Sequence, residues 1–299
     1  MKRRLLPILM TLVLVCALPI WAAFVTSGDV TNPLVCTAGA TLPDLQAKID
    51  AAADNATITL DSDTTITETL VITGKTLTLD LNGCVLRMRG TGSVLKVSGR
   101  ATLTITDSRP QNPHTGSYEN LPAGGVITGG EGTDLTGIYN VGGAVFLEND
   151  TTLTLEGGTI TGNNSTYEGG GIYGKGTINL TDAIVTDNNR YDVYYGGVEN
   201  SYHKLTVSGS VKAGYYANND WKLPIFVSGL LSADSVIRVG VYDGIKPAYG
   251  SQLAIAEPAS GVTLSAENFK ADAADSVTSL GEDGKVYLSL CDHEMDDTG

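Results

Sequence analysis

Short runs of alternating apolar and polar residues dominate this chain. Thr57-Ile58-Thr59-Leu60, Thr65-Ile66-Thr67, Leu70-Val71-Ile72 and Thr76 to Leu81 each place β-branched or apolar residues at every second position. Gly, Asn and Asp bound them, so each reads as a short strand with one buried face. The runs also repeat. Leu153-Thr154-Leu155-Glu156-Gly157-Gly158-Thr159-Ile160-Thr161-Gly162-Asn163-Asn164 overlays Ile178-Asn179-Leu180-Thr181-Asp182-Ala183-Ile184-Val185-Thr186-Asp187-Asn188-Asn189, 25 positions on. The same phrase stands earlier, at multiples of that period, as Leu103-Thr104-Ile105-Thr106-Asp107. It recurs as Leu77-Thr78-Leu79-Asp80 and Leu205-Thr206-Val207-Ser208-Gly209. Fixed-period self-similarity in short strands is the signature of a solenoid, and about 25 residues suit one turn of a parallel β-helix. Leu77, Leu79 and Leu81 should then point inward and stack on Leu103/Ile105, Leu153/Leu155 and Ile178/Leu180.

One segment has helical spacing instead. Leu42, Leu45, Ile49 and Ala52/Ala53 share a face, and Thr41, Pro43 and Asp44 make a capping-box-like start. A solenoid must cover the apolar end of its first coil, so this helix, ending near Asp54-Asn55, is the expected cap.

Asn163-Asn164 and Asn188-Asn189 repeat with the strands. Asparagine tolerates left-handed backbone at turns and can bond its copy one coil away, so the pairs are expected to form a structural ladder. Gly142-Gly143-Ala144-Val145, Gly169-Gly170-Gly171-Ile172 and Gly196-Gly197-Val198 form a second repeated phrase, read as sharp turns. It lacks the spacing and the Lys-Ser/Thr of a nucleotide loop. The proline-rich stretch between Asp107 and Gly125, with His114 and Tyr118, reads as a loop extruded from one coil, where repeat proteins often place binding surfaces. After about Leu223 the repeat loosens. Ile225 to Leu230, Val236 to Val241, Gln252 to Ala256 and Lys285 to Leu290 remain strand-like, Ala266 to Ala274 suggests a helical turn, and the segment reads as irregular final coils or a small β-rich module.

Composition refines this picture. Lys2, Arg3 and Arg4 precede an apolar run from Leu5 to Leu18 and small residues at Ala22, Ala23 and Ser27, the order of a secretory signal. A retained anchor is the alternative. Without residues 1–27, 16 basic residues face 33 acidic ones, a net charge near −17, which repels nucleic acid. With 42% apolar residues the chain still has a core to fold around. No later segment is long and apolar enough to span a membrane. Cys36 and Cys84 either form a disulfide tying the N-terminal segment to the first coils or are two small buried residues that never meet. The expected organisation is a signal peptide at 1–27, a cap at 28–56, β-helix at 57–222, looser β-rich segments at 223–290 and a tail at 291–299.

Leu77-Thr78-Leu79-Asp80-Leu81-Asn82-Gly83, Gly143-Ala144-Val145, Gly158-Thr159-Ile160-Thr161-Gly162-Asn163 and Gly170-Gly171-Ile172-Tyr173 resemble right-handed parallel β-helix proteins of the pectin-lyase-like fold group. More narrowly, they resemble adhesin-like surface proteins of gut anaerobes, over roughly residues 41 to 222. Gly-Gly-Ala-Val is also similar to the short repeats of polymorphic outer-membrane autotransporters, whose Phe-x-x-Asn element Phe146-Leu147-Glu148-Asn149 matches approximately. Cys291-Asp292-His293-Glu294 resembles the start of a Cys/His-rich repeat found downstream in such proteins, with too few ligands for zinc. The resemblance implies an all-β, right-handed parallel β-helix on a bacterial cell surface, or secreted.

Enzymes of that fold group usually cleave acidic polysaccharides. Asp80, Asp107, Asp182 and Asp187 are candidates for a calcium site, but their offsets differ and acids at coil corners also serve as turn formers. The polygalacturonase motifs are missing, and three histidines give a triad no support, so catalysis is not expected and no cofactor is implied. The better clue is aromatic. Tyr191, Tyr194, Tyr195, Tyr202, Tyr215, Tyr216 and Trp221 crowd into residues 191–221 of a chain with 6% aromatics. Tyr191, Tyr194, Tyr195, Tyr202, Tyr216 and Trp221 are candidate ligand contacts, since such rings stack on sugars or anchor partners. Asp192, Glu199, Asn200 and Asn218 would be their polar companions. The same rings can instead fill the last coils. The expected function is adhesin-like binding of a glycan or cell-surface ligand. A structural stalk, or a lyase or hydrolase acting on acidic polysaccharide, are the alternatives.

Overall fold

The computed structural model describes residues 42–135, 137, 139–195, 205–217 and 224–291. The chain winds as a parallel β-helix whose early coils carry three strands each. On the first face, Ala56–Thr59, Thr76–Asp80, Thr102–Thr106, Thr152–Glu156, Thr177–Thr181, Leu205–Gly209, Ile225–Leu231 and Leu253–Pro258 pair in that order, all parallel. The second face runs through Thr64–Ile66, Val85–Met88, Val126–Thr128, Thr159–Ile160 and Ile184–Val185. The third runs through Leu70–Thr73, Leu95–Ser98, Val145–Leu147, Ile172–Gly174 and Val193–Tyr195.

Register follows the expected stacking. Leu77 lies beside Leu103, Leu103 beside Leu153, Leu153 beside Ile178 and Ile178 beside Leu205. Leu79, Ile105, Leu155, Leu180 and Val207 form the second inward row, each at most 1% exposed. Burying each such side chain contributes about 1.5–3 kcal/mol relative to exposure. The coils differ in length. Leu103 and Leu153, two periods apart in sequence, are neighbours on adjacent coils. The extra residues leave the coil as two excursions. One is the loop between Thr106 and Val126, and the other includes an antiparallel hairpin of Thr133–Asp134 with Asn140–Val141. A parallel coil constrains its strands and leaves its connections free, so a turn can double in length without breaking register.

The helix Leu42–Ala51 covers the first coil, with Leu45 and Ile49 buried in the core. Its Gln46 amide donates to Val71 O (3.1 Å) and accepts from Val71 N (2.9 Å), so a side chain pairs with the open strand edge. Lys75 Nζ donates to the carbonyls of Ile49, Asp50 and Ala52 at the helix C-terminus, where a cation also complements the helix dipole.

The three-sided section ends at Lys212–Ala217. Lys212 and Ala213 pair with Ile184 and Val185, while Tyr215 and Tyr216 pair with Val193 and Tyr194. One straight strand therefore continues both the second and third faces. Parallel pairing persists beyond it, through Val236–Val241 and Phe269–Ala271, so residues 225–271 continue the coils. The expected helical turn is a short 3-10 turn, Ala266–Asn268. Ser276–Leu280 and Val286–Leu290 close the end as an antiparallel hairpin on Leu253–Pro258. No helix among the described residues is long and apolar enough to cross a membrane.

Because the inward rows are continuous, truncating one rung opens a cavity that the coils on either side cannot close. Leu155→Ala should lower stability by about 2–5 kcal/mol, and Thr104→Ala, on the alternate face, by no more than about 0.5 kcal/mol. Urea denaturation midpoints check this.

Candidate functional site

The corner between the second and third faces is held together by polar side chains. Asn163, 2% exposed, accepts from Gly130 N (3.0 Å) through Oδ1. Its Nδ2 lies within hydrogen-bonding distance of Ile127 O, Thr161 O and Asn188 Oδ1. Asn188 repeats the arrangement one coil on, its Nδ2 reaching Ile160 O, Thr186 O and Asp192 Oδ1. Asn188 N also donates to Asp192 Oδ1 (3.0 Å). Outside this inner ladder runs an exposed one, with Asn189 Nδ2 donating to Asn164 Oδ1 (2.6 Å). The repeated asparagines are thus the structural ladder expected of them. The glycines beside them leave no room for a side chain: a Cβ on Gly170 would fall 1.7 Å from Asn189 O.

Asp192 takes the last rung. Its Oδ2 accepts from Gly214 N (3.0 Å) and lies 3.8 Å from Arg238 Nη2. A Cβ on Gly214 would lie 2.6 Å from that oxygen, so glycine alone fits there. Beyond Asp192 there is no corner turn, because Lys212–Ala217 runs straight through. A cavity of about 320 Å³ opens in its place, lined by Asp187, Asn188, Tyr191, Asp192, Gly214, Tyr215, Arg238 and Asp272. Burial raises the Asp192 carboxyl above its ordinary value, against the lowering effect of the Asn188 and Gly214 bonds and of Arg238.

Four rings stack along the outer surface of the third face. Phe146, Tyr173, Tyr194 and Tyr216 follow one another at centroid separations of 5.9, 5.5 and 6.3 Å. Tyr191 lies over Tyr216 at 4.0 Å, nearly parallel. Lys96 Nζ sits 5.8 Å from the Phe146 centroid at the opposite end. Phe146, Tyr173 and Tyr194 form a small buried cluster with Val141, apart from the main core. Tyr173 is pushed up to about 12, first by burial. Burial also raises Tyr216, with Tyr191 contributing by charge and by a hydrogen bond between the two phenols.

The tyrosines named from sequence therefore divide. Tyr195 and Tyr215 point inward and belong to the core, both at most 3% exposed. Tyr194 is buried in the outer stack. Tyr191 is exposed at the cavity, with Tyr216 beneath it. Tyr202 and Trp221, like Glu199, Asn200 and Asn218, lie outside the described residues. Tyr191 has φ = 71° and Asp187 and Arg190 share the left-handed region, a conformation that costs a bulky residue about 1–3 kcal/mol. The loop spends that energy holding one ring against another at the mouth of a cavity.

Arg238 and Asp272 had no sequence signal. Arg238 comes from a later strand and Asp272 from the residue just after another, aligned with the cavity by the pairing of Gly214 with Arg238 and of Val239 with Ala271. Of the acids weighed for calcium, Asp80, Asp107 and Asp182 hold backbone amides at the corner between the first and second faces. Asp80 Oδ1 accepts from Ser108 N (2.9 Å), Asp107 from Gly83 N (2.7 Å) and Gly125 N (2.6 Å), and Asp182 from Ser210 N (2.7 Å). Among the described residues no three such groups converge to hold a metal ion. The loop after Asp107 folds back onto earlier coils: Asn112 Nδ2 donates to Gly83 O (2.8 Å), and the Tyr118 and Thr65 hydroxyls share a hydrogen bond of 3.3 Å. Cys84 is fully buried and disulfide-bonded, whereas Cys36 lies outside the described residues and Cys291 is free.

What the fold defines is a class, the parallel β-helix solenoids. No protein-family model, no curated protein and no solved structure matches the chain.

Two predictions follow from the corner. Asn188→Ala strands buried backbone groups and should cost about 1–3 kcal/mol, whereas Asn189→Ala, on the exposed ladder, should cost no more than about 0.5 kcal/mol. Thermal melts distinguish them. The folded chain also holds the Asp192 proton more tightly than the unfolded chain does. Stability from this group is complete below the ordinary value of 3.8 and is lost as pH rises through the raised folded value. Stability of the wild type relative to Asp192→Asn should therefore decline with pH across that window.

Proposed function

We propose that this chain is an exported cell-surface β-helix protein, adhesin-like, that binds a glycan without transforming it. The observation that carries this reading is the exposed Tyr191 ring, stacked on Tyr216 and set at the mouth of a polar cavity. An aromatic face offers the apolar platform on which a sugar ring stacks, and neighbouring carboxylates, amide and guanidinium bond its hydroxyls. The left-handed backbone at Tyr191 supports the reading, since a turn chosen only for stability would carry glycine there.

That strain also separates function from folding. Tyr191→Gly relieves roughly 1 kcal/mol of backbone strain and gives up about 0.5–1.5 kcal/mol of stacking. Its melting temperature should stay within a few degrees of wild type while glycan binding is lost. The assay is a glycan array with residues 28–299, run with and without calcium, reading bound protein and released unsaturated sugar together. Saturable binding without product, absent in Tyr191→Gly, supports the proposal. Product points to a lyase instead, and silence in both channels to a structural stalk.

A further inference from the structure

Among the described residues, three carboxylates, Asp187, Asp192 and Asp272, line the cavity with one guanidinium, that of Arg238. Arg238 lies beside Asp192, the most buried of the three, at 3.8 Å. Asp187 and Asp272 are exposed, and neither has a cation beside it among the described ion pairs. A Cβ placed on Gly240 would lie 2.8 Å from the Tyr216 ring and 3.4 Å from Asp272 Oδ2, so this carboxylate sits close to the aromatic pair. Glu168 adds to the negative field around the Tyr216 phenol, as does Asp243, whose charge is paired with Lys246 at 3.0 Å.

A uronic acid brought onto the Tyr191 ring would meet like charge, whereas a protonated amine would meet both carboxylates and the negative face of an aromatic ring. The acids do not converge as a chelating set, so a diffuse ammonium suits them better than a compact metal ion. We infer that the Tyr191–Tyr216 cavity takes a glycan carrying free protonated amino groups, such as a glucosamine oligomer, in preference to neutral or acidic glycans. The inference rests on the glycan-binding reading above and adds the substrate class.

Three probes test it by titration calorimetry on the mature chain at mildly acidic pH, where the glucosamine amines are protonated: a glucosamine oligomer, the same oligomer fully N-acetylated, and an oligogalacturonate of equal length. The amine form should bind on the order of tenfold more tightly than the acetylated form, and the oligogalacturonate should not bind. Asp272→Asn, at an exposed position, should weaken the amine form several-fold and leave any binding of the acetylated form unchanged. Equal binding of the amine and acetylated forms, or tighter binding of oligogalacturonate, overturns the inference and leaves glycan binding standing. Binding of the amine form that Asp272→Asn and Tyr191→Gly both leave intact overturns it too, by placing the amine elsewhere. Failure of all three probes, with other glycans bound on the array, overturns the substrate class alone. Failure of every glycan overturns both.

Discussion

The coils of this molecule depend on parallel register, which sets each residue beside its counterpart on the next coil. Leu beside Leu or Ile gives a water-free row along the axis. The same rule applied to the corners sets Asn163 below Asn188, where like must satisfy like. Asparagine can, because its amide both donates and accepts, and each copy also takes up carbonyls of the turn it closes. The polar corner thus becomes as continuous as the apolar core.

A ladder of identical groups needs an end. Here it ends on an acid rather than an amide. Asp192 accepts from Asn188, four residues earlier in the same turn, and from Gly214 N on the next strand, and its carboxyl carries no N–H to pass the pattern on. At the same level the coil loses a corner, since Lys212–Ala217 joins two faces in one strand. The cavity opens beside this joined strand, at Gly214 and Tyr215. A strained loop, Asp187 to Tyr191, borders it and holds a tyrosine in left-handed backbone. What distinguishes this place from the corner one coil earlier is a buried acid among the described residues, set where the repeat fails.

The repeat made most of the fold legible. Leu77, Leu103, Leu153 and Ile178 were aligned by spacing alone, and the asparagine ladder followed from copies 25 residues apart. The distance from Leu103 to Leu153 equals two periods while the chain makes one turn around two excursions, and the expected stacking of the two holds all the same. Clustering singled out the tyrosines but did not sort them. Alternation on the third face would have done so: Tyr194 falls in register with Tyr173 on the outside, and Tyr195 with Gly174 on the inside. Arg238 and Asp272 were out of reach because the strand Val236–Val241, which carries Arg238, and Phe269–Ala271, which Asp272 follows, lie where the repeat has faded. A site assembled at the end of a repeat draws its residues from beyond it.

The polar corner belongs to the cooperative core up to Asp192, and native-state amide hydrogen exchange reads this out. The N–H groups of Gly130, Asn163, Asn188 and Gly214 should exchange as slowly as those of Leu153 and Leu155, through global opening. Exchange of these four at the rate of exposed loops, orders of magnitude faster than the strands, would contradict it. The corner would then be a turn laid over the solenoid, and the cavity at its end would lose its rigid floor.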